Sequence, residues 1–425
     1  MRPDTHQVAH RLAGQSFDSG GTAPAAGLRA AAVIAGIDAT AALTGSLSGV
    51  GYHIIRLLEA LDAQLLPGDR LCVFYQAVDR EARKRAAAML PQSARIQPVP
   101  VPFVKTTLHK AHRFFARVML PAAVRRHRCD IFHGPAHIVP PIRRIPTVVT
   151  IHDLAFFKHD LSEASFAAAL QQAVAESLGT ATAVIALSES TRRDIHEIAG
   201  RSAGVRVIYG AGNFPTADQA APAAGDRAEL AGLRVAGRYV LYVGDFNPRK
   251  NVPFLIESFA RLKRDPGFAD VQLVLAGNSR DAKPALEVHA GRAGLGGSDV
   301  VFTGRVSDDQ LRLLYRNASA FTLCSLMEGF TLVTLEAMAY GVPVVATNTS
   351  SIAEGTGLAA ELVPLDDPEA VAQGLRRAMA PGARREEMRR MGLDRVSRFS
   401  WASTASQTLA LYRETARDAN RKAAA

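Results

Sequence analysis

From Ala32 onward, short apolar runs alternate with longer amphipathic stretches, the pattern of βαβ units around a parallel sheet. Ala32–Ile37, Leu71–Tyr75, Asp130–Phe132, Thr147–Ile151, Ala183–Leu187 and Val205–Ile208 read as strands, with helical patterns between most of them. Gly210 to Gly237 breaks the rhythm. It is rich in Ala, Gly and Pro and reads as a linker with a short helix around Asp226–Ala231. The alternation then restarts with Tyr239–Val243, Gln272–Ala276, Val300–Thr303, Ala320–Leu323 and Pro343–Ala346. Val252–Lys263 and Ser307–Ala318 are helical stretches, and Ser307 with Gln310 forms a capping-box pattern. Helical segments run from about Glu369 to Lys422.

The expected fold class is therefore α/β, with two doubly wound Rossmann-like domains facing across a cleft. The boundaries are a tail at 1–28, a first domain at 29–210, a linker at 211–237 and a second domain at 238–400. The last helix, 402–422, is expected to pack back on the first domain. Residues 1–28 mix Gly, Pro, Ala, Ser and Thr with scattered charge and read as a disordered tail or a misplaced start. In doubly wound sheets ligands sit beyond the carboxyl ends of strands, so the natural site is the cleft between the halves.

Composition narrows the class. The 425 residues, 48% hydrophobic and 21% charged, exclude a collagen, a coiled coil and wholesale disorder. No apolar run reaches the roughly 18–20 residues of a membrane span. Cys72, Cys129 and Cys324 lack metal-like spacing and fit a reduced cytoplasmic chain. The net charge of +10 points to an anionic partner. The basic residues are spread out and no nucleic-acid module appears, so no nucleic acid is expected. One exception to that spread is residues 101–129, with Lys105, Lys110, Arg113, Arg117, Arg125, Arg126 and Arg128 and no acid. Phe114, Phe115, Val118, Met119 and Leu120 are interleaved there. Such a helix fits either an anionic membrane surface or an exposed helix whose apolar face packs inward.

The turns after strands carry the candidate chemistry. Gly244-Asp245-Phe246-Asn247-Pro248-Arg249-Lys250-Asn251 places two adjacent cations at a strand end beside a helix start. That suits a diphosphate, and it also fits a solvated basic turn. After the strand ending near Cys324, Glu328 lies in the turn and Glu336 about a turn and a half into the next helix. The pair can grip different hydroxyls of one sugar nucleotide, with the amides of Thr331, Leu332 and Val333 aimed at its phosphate. The alternative is a solvated Glu328 and a Glu336 paired with a lysine. Gly45 to Gly51 is a glycine loop but not GxGxxG, and Gly210-Ala211-Gly212 fails because Pro215 replaces the third glycine. His152, at a strand's carboxyl end, faces either the cleft or the core. Asp308-Asp309 and Asp366-Asp367 read as helix caps, and no Asp-x-Asp motif occurs in a metal-binding loop.

In order, these elements resemble the retaining glycosyltransferases of the GT-B fold, specifically family 4, also called group 1. The likeness covers about residues 33–415. Glu328-Gly329-Phe330 followed by Leu335-Glu336-Ala337-Met338-Ala339 matches the family's E-x7-E motif, and Pro248-Arg249-Lys250-Asn251 its phosphate-binding turn. Val184–Ser188 with Arg192-Arg193-Asp194, and Phe399-Ser400-Trp401, are similar too. Ile37-Asp38-Ala39, Gly49-Val50-Gly51-Tyr52 and His152-Asp153-Leu154 resemble the branch of bacterial mannosyltransferases of polysaccharide and lipopolysaccharide assembly.

The resemblance implies an acceptor-side first domain and a second domain that binds a nucleotide-sugar donor. Glu328 would hold hydroxyls of the donor sugar, Glu336 the ribose, and Arg249 with Lys250 the leaving diphosphate. Gly329, Phe330, Thr331, Leu332 and Val333 would line the donor. Gly49 and Gly51 would let the first domain close over the phosphate, and His152 would contact the sugar or acceptor. The acceptor would be a saccharide or a polyprenyl-diphosphate-linked saccharide, reached from the cytoplasm at the inner membrane face. GDP-mannose is the expected donor, with a UDP-sugar as the alternative. No metal or cofactor is expected, because the cations can neutralise the leaving group. Many relatives have Gly-Arg where this chain has Gly244-Asp245, so one phosphate arginine is missing. That departure is the only support for a relative that binds sugar nucleotides without transferring them.

Overall fold

The computed structural model describes residues 32–424 apart from 44–47, 78, 103–117, 159–163, 216 and 279–280. The tail at 1–28, Gly45 to Leu47 and the core of the basic stretch, from Lys105 to Arg117, lie outside the described residues.

Two all-parallel sheets form the frame. The first holds β1 (Ile34–Asp38), β2 (Arg70–Ala77), β3 (Ile96–Pro102), β4 (Ile131–Gly134), β5 (Thr147–Ile151), β6 (Ala183–Ala186) and β7 (Val205–Val207). Their spatial order is β3-β2-β1-β4-β5-β6-β7. The second holds β8 (Tyr239–Val243), β9 (Gln272–Ala276), β10 (Val300–Gly304), β11 (Ala320–Leu323), β12 (Val344–Thr347) and β13 (Ala360–Val363). Its order is β10-β9-β8-β11-β12-β13. Each sheet reverses its winding once, between β1 and β4 and between β8 and β11, as a doubly wound fold requires. Six helices matter below: α1 (Gly49–Asp62), α2 (Glu189–Ala199), α3 (Val252–Leu262), α4 (Leu332–Ala339), α5 (Ile352–Thr356) and α6 (Trp401–Ala424).

β3 and β13 are absent from the reading of the apolar pattern, and both are edge strands. β3 carries Pro98, Pro100 and Pro102 at a spacing of two, so all three missing N–H groups face the same side. Only the open edge of a sheet tolerates that, and β3 pairs with β2 alone. The caps at Ser307 and Asp367 follow the sequence, whereas Asp308 and Asp309 lie within the first helical turn and do not cap it. Ser307 Oγ accepts the Gln310 amide at 3.2 Å while Gln310 Oε1 accepts the Ser307 amide at 3.0 Å. Asp367 caps its helix by accepting the Glu369 and Ala370 amides, both at 3.0 Å.

Each sheet is buried on both faces. α6 closes the first one, although it follows the whole second domain in sequence: Ala405, Leu409, Leu411 and Tyr412 are buried among Ile37, Leu58 and Val148. Tyr412 Oη lies 2.6 Å from Nδ1 of the fully buried His133, and Arg413 pairs with buried Asp69 at 2.5 Å. The linker is ordered at its far end, where Leu230 and Val235 are buried in the second core. Among the described residues, no helix is long and apolar enough to cross a membrane.

Gly36 in the centre of β1 is fixed by crowding. A Cβ there would sit 2.9 Å from Phe132 Cδ2 and 3.0 Å from Phe74 Cε2, ring atoms of the flanking strands. Gly36→Val should therefore lower stability by about 1–3 kcal/mol in urea unfolding. Unchanged stability would contradict this packing.

Candidate active site

The turns after β8 and β11 meet at the switch point of the second sheet, where these strands are neighbours. Pro248–Lys250 makes one 3-10 turn, and Asn251 takes φ 52° to start α3. The Leu326 amide donates to the Arg249 carbonyl at 2.8 Å, which stitches the two turns together.

Glu328 sits at their junction with 7% of its side chain exposed. Its carboxylate accepts from Arg249 Nη1 at 2.7 Å, Lys250 Nζ at 2.5 Å and Ser325 Oγ at 2.6 Å. Arg249 also donates to the Met327 carbonyl at 2.9 Å. The backbone of Glu328 is clamped as well. Its amide donates to Ser350 Oγ at 2.7 Å, and Ser351 Oγ donates to its carbonyl at 2.9 Å. Burial alone would raise this carboxyl's pKa. Lys250 and Arg249, with the Ser325 hydrogen bond, overcome burial and hold it at about 2. The solvated basic turn and the solvated glutamate are both excluded: the three groups are one buried ion cluster that still opens to the cleft through Arg249, 20% exposed.

Glu336 has a different environment. It accepts from Tyr315 Oη at 3.1 Å and from the Asn213 amide at 3.4 Å, and among the described residues no cation pairs with it. The lysine-paired alternative is thereby excluded. Burial pushes its pKa up to about 7, and those two hydrogen bonds offset burial only in part.

The start of α4 corrects one expectation. Thr331 adopts φ −89° and ψ 66°, and the Leu332 amide donates to the Phe330 carbonyl at 3.1 Å in a tight turn. The Leu332 amide is therefore not free to meet a phosphate. The Val333 amide lies in the helix's first turn, where no intrahelical partner exists. The Val333 carbonyl is within 3.4 Å of Tyr315 Oη. The Phe330 ring turns to an aromatic cluster. It packs against Tyr209 and Phe399, both with centroids 5.4 Å away.

Gly329 marks where the two domains touch. A Cβ there would overlap the His152 carbonyl oxygen and lie 2.8 Å from Asp153 Cβ, so only glycine allows the approach. Thr191 Oγ1 bridges the same contact, 3.2 Å from the His152 carbonyl and 3.4 Å from that of Gly329.

His152 is held, not loose in the cleft. Nε2 lies 2.8 Å from the Pro135 carbonyl, which can only accept, so Nε2 carries the proton and Nδ1 is the bare acceptor. The ring lies between His53 at 5.0 Å and His137 at 5.1 Å. Burial, then His137, lowers its pKa to about 4, so it is neutral at neutral pH. Gly51 spends its amide on the Ser48 cap at 3.2 Å, while a Cβ on Gly49 would meet open space. Crowding thus imposes no glycine at Gly49.

The structure brings Arg249, Lys250 and Glu328 into direct contact and sets His152 and Gly329 against one another. Sequence reasoning missed Ser350 and Ser351, which follow β12 and were findable by the rule that ligands gather at strand ends. It also missed Asn213, Tyr315, His53 and His137. Asn213 and Tyr315 reach Glu336 from 123 and 21 residues away and leave no local signal.

Residues 47–211 match the model described as Glycosyltransferase Family 4, and residues 237–380 match Glycosyl transferases group 1. The O-antigen chain mannosyltransferase B of Escherichia coli is 25% identical over 397 residues, covering 89% of this chain and 99% of that protein. A D-inositol 3-phosphate glycosyltransferase of Kribbella flavida is 33% identical over 412 residues, covering 87% and 91%. Among solved structures, sucrose-phosphate synthase from Thermosynechococcus elongatus superposes with a TM-score of 0.70 at 21% identity, over 90% of this chain and 98% of that one.

The depressed pKa of Glu328 has a definite sign. Its ionised form contributes stability above the unfolded carboxyl value of about 4.3, and that contribution is lost as pH falls toward the folded value. Glu328→Gln should be less stable than the parent near neutrality, by up to about 3–5 kcal/mol. The gap should narrow on acidification in urea unfolding at a series of pH values. A gap that stays constant with pH would contradict the ion cluster.

Proposed function

We infer donor and acceptor from one premise: the chain belongs to the family 4, or group 1, glycosyltransferases. We read it as a retaining transferase that moves mannose from GDP-mannose to a saccharide or polyprenyl-diphosphate-linked saccharide in bacterial polysaccharide or lipopolysaccharide assembly. The observation that carries this is the buried Arg249–Glu328–Lys250 cluster at the switch point of the second sheet. Two cations held beside a carboxylate, with a second carboxylate on α4, are what a nucleoside diphosphate sugar needs. The mannosyl donor and the polysaccharide acceptor are supported by the likeness to the O-antigen mannosyltransferase over 99% of its length.

In this reading the bond from the anomeric carbon to the diphosphate oxygen breaks first. The acceptor oxygen then bonds to that carbon on the same face, and its proton passes to the departing phosphate oxygen. The main task is to stabilise charge on the leaving diphosphate. Arg249 and Lys250 supply two positive charges there, so the reaction is proposed to need no metal. Glu328 would keep those cations in place before the donor arrives and accept from sugar hydroxyls once they turn to phosphate. Neutral His152 would offer Nδ1 as an acceptor to a hydroxyl, since its Nε2–H is committed to Pro135. The close contact at Gly329 and His152 would exclude water from the reacting carbon. A polyprenyl-linked acceptor would bring the protein to the inner face of the cell membrane.

Thermal-shift and turnover assays against GDP-, UDP- and ADP-sugars test the donor. Stabilisation by GDP-mannose with slow release of GDP is expected, and response to UDP-sugars alone would overturn the mannosyl reading. The Arg249→Ala, Lys250→Ala double variant should lose at least about a hundredfold in turnover, the scale of a lost charge-stabilising donor. Retained turnover would remove the diphosphate role. If ionised Glu336 accepts from ribose hydroxyls, the donor KM should fall as pH rises through about 7, its folded pKa. That pH dependence should vanish in Glu336→Gln, and a parent KM flat across that range would exclude the ribose role.

A further inference from the structure

α5 carries Glu354 across the domain boundary to α2. Glu354 Oε1 accepts the Glu189 amide at 2.6 Å and the Tyr209 hydroxyl at 2.8 Å, and Oε2 accepts the Ser190 amide at 3.1 Å. Those amides belong to the first turn of α2, where helix geometry leaves donors unpaired. The next one, of Thr191, is already capped within the first domain by Ser188 Oγ at 3.0 Å. A carboxylate there also meets the favourable end of the helix dipole. Burial, then the neighbouring Glu354, raises the Tyr209 pKa, so that phenol stays a donor.

The other side of α5 faces the donor carboxylate. Ser350 and Ser351, just before it, hold the amide and carbonyl of Glu328 at 2.7 and 2.9 Å. Gly355 lies against the Thr331 methyl so closely that a Cβ would overlap it. Arg395 Nε donates to the Gly355 carbonyl at 2.9 Å and fixes the short helix to its own domain. One element of a few residues thus grips the first domain with one end and the Glu328–Thr331 turn with the other.

We propose that Glu354 is a positioning residue that couples closure of the first domain to the placement of Glu328. The proposal rests on the reading above, in which Glu328 with Arg249 and Lys250 holds the donor. When the domains part, Glu354 loses its two backbone donors on α2 together, while Tyr209, which packs against the second core, stays beside it, and α5 is released from the first domain. Closure would then set the donor turn at the same moment as it excludes water.

The test compares the full-length parent with Glu354→Gln and Tyr209→Phe by hydrogen exchange, by calorimetric titration with GDP and with UDP, and by steady-state transfer and hydrolysis. Glu354→Gln replaces one carboxylate oxygen by an NH2 that cannot accept, so one backbone amide loses its acceptor and the other keeps only a neutral one. It should speed exchange of the Glu189 and Ser190 amides by about tenfold or more, the scale of a lost charged hydrogen bond. The amides of Glu328–Phe330 should lose protection with them. Affinity for the nucleoside diphosphate that binds the parent should stay within about twofold, because the side chains of Arg249, Lys250, Glu328 and Glu336 are untouched. The transfer kcat should fall and the share of donor lost to water should rise, with Tyr209→Phe changing less and in the same direction. Unchanged exchange at Glu189 and Ser190 would overturn the latch. Faster exchange there with full protection at Glu328–Phe330, or a nucleotide affinity that falls as far as kcat, would overturn the coupling. If neither GDP nor UDP binds the parent, the donor reading fails on its own, and the exchange data still decide the latch.

Discussion

The geometry of the cleft depends on one buried carboxylate that holds two cations in place. Glu328 binds Arg249 and Lys250 at 2.7 and 2.5 Å, and these come from a turn 79 and 78 residues earlier in the chain. Two cations side by side repel, and burial penalises both. The carboxylate offsets part of both costs and joins the turns of β8 and β11 into one surface. A pair buried in this way is weak evidence for added stability. What it does is hold two positive groups in fixed places side by side.

Everything around the cluster keeps that carboxylate in register. Ser325, Ser350 and Ser351 hold its side chain and backbone, so its position is set by β11 and β12. Gly329 lets the His152 carbonyl come against the next peptide, and the two domains meet within one residue of Glu328. The aromatic cluster of Tyr209, Phe330 and Phe399 lies where the chain crosses between domains, and α6 returns to close the first sheet. The two carboxylates of the motif are driven apart by environment: cations hold Glu328 ionised, and burial with only neutral donors brings Glu336 to about 7.

Local pattern revealed most of the fold, because interior parallel strands are apolar runs and helix starts carry caps such as Ser307 and Asp367. It failed at β3 and β13, whose edge positions remove the need for an apolar run. The placement of Arg249, Lys250, Glu328 and Glu336 was legible because each follows a strand end or a helix start. Their partners were not, since Asn213 reaches Glu336 and Glu354 reaches Glu189 only through the packing of distant segments. The Leu332 amide differs from its expected free state for a related reason. A motif fixes residue types, while the turn at Thr331 decides which backbone amides are left unpaired.

The central claim is that the Glu328 cluster is a diphosphate site kept ready before its ligand arrives. A crystal structure of the full chain with the nucleoside diphosphate that stabilises it tests this most directly. The account predicts diphosphate oxygens within hydrogen-bond reach of Arg249 and Lys250, with at least one contact to Glu328 given up and the ribose against Glu336. A nucleotide bound elsewhere, with both cations still on Glu328, would contradict it.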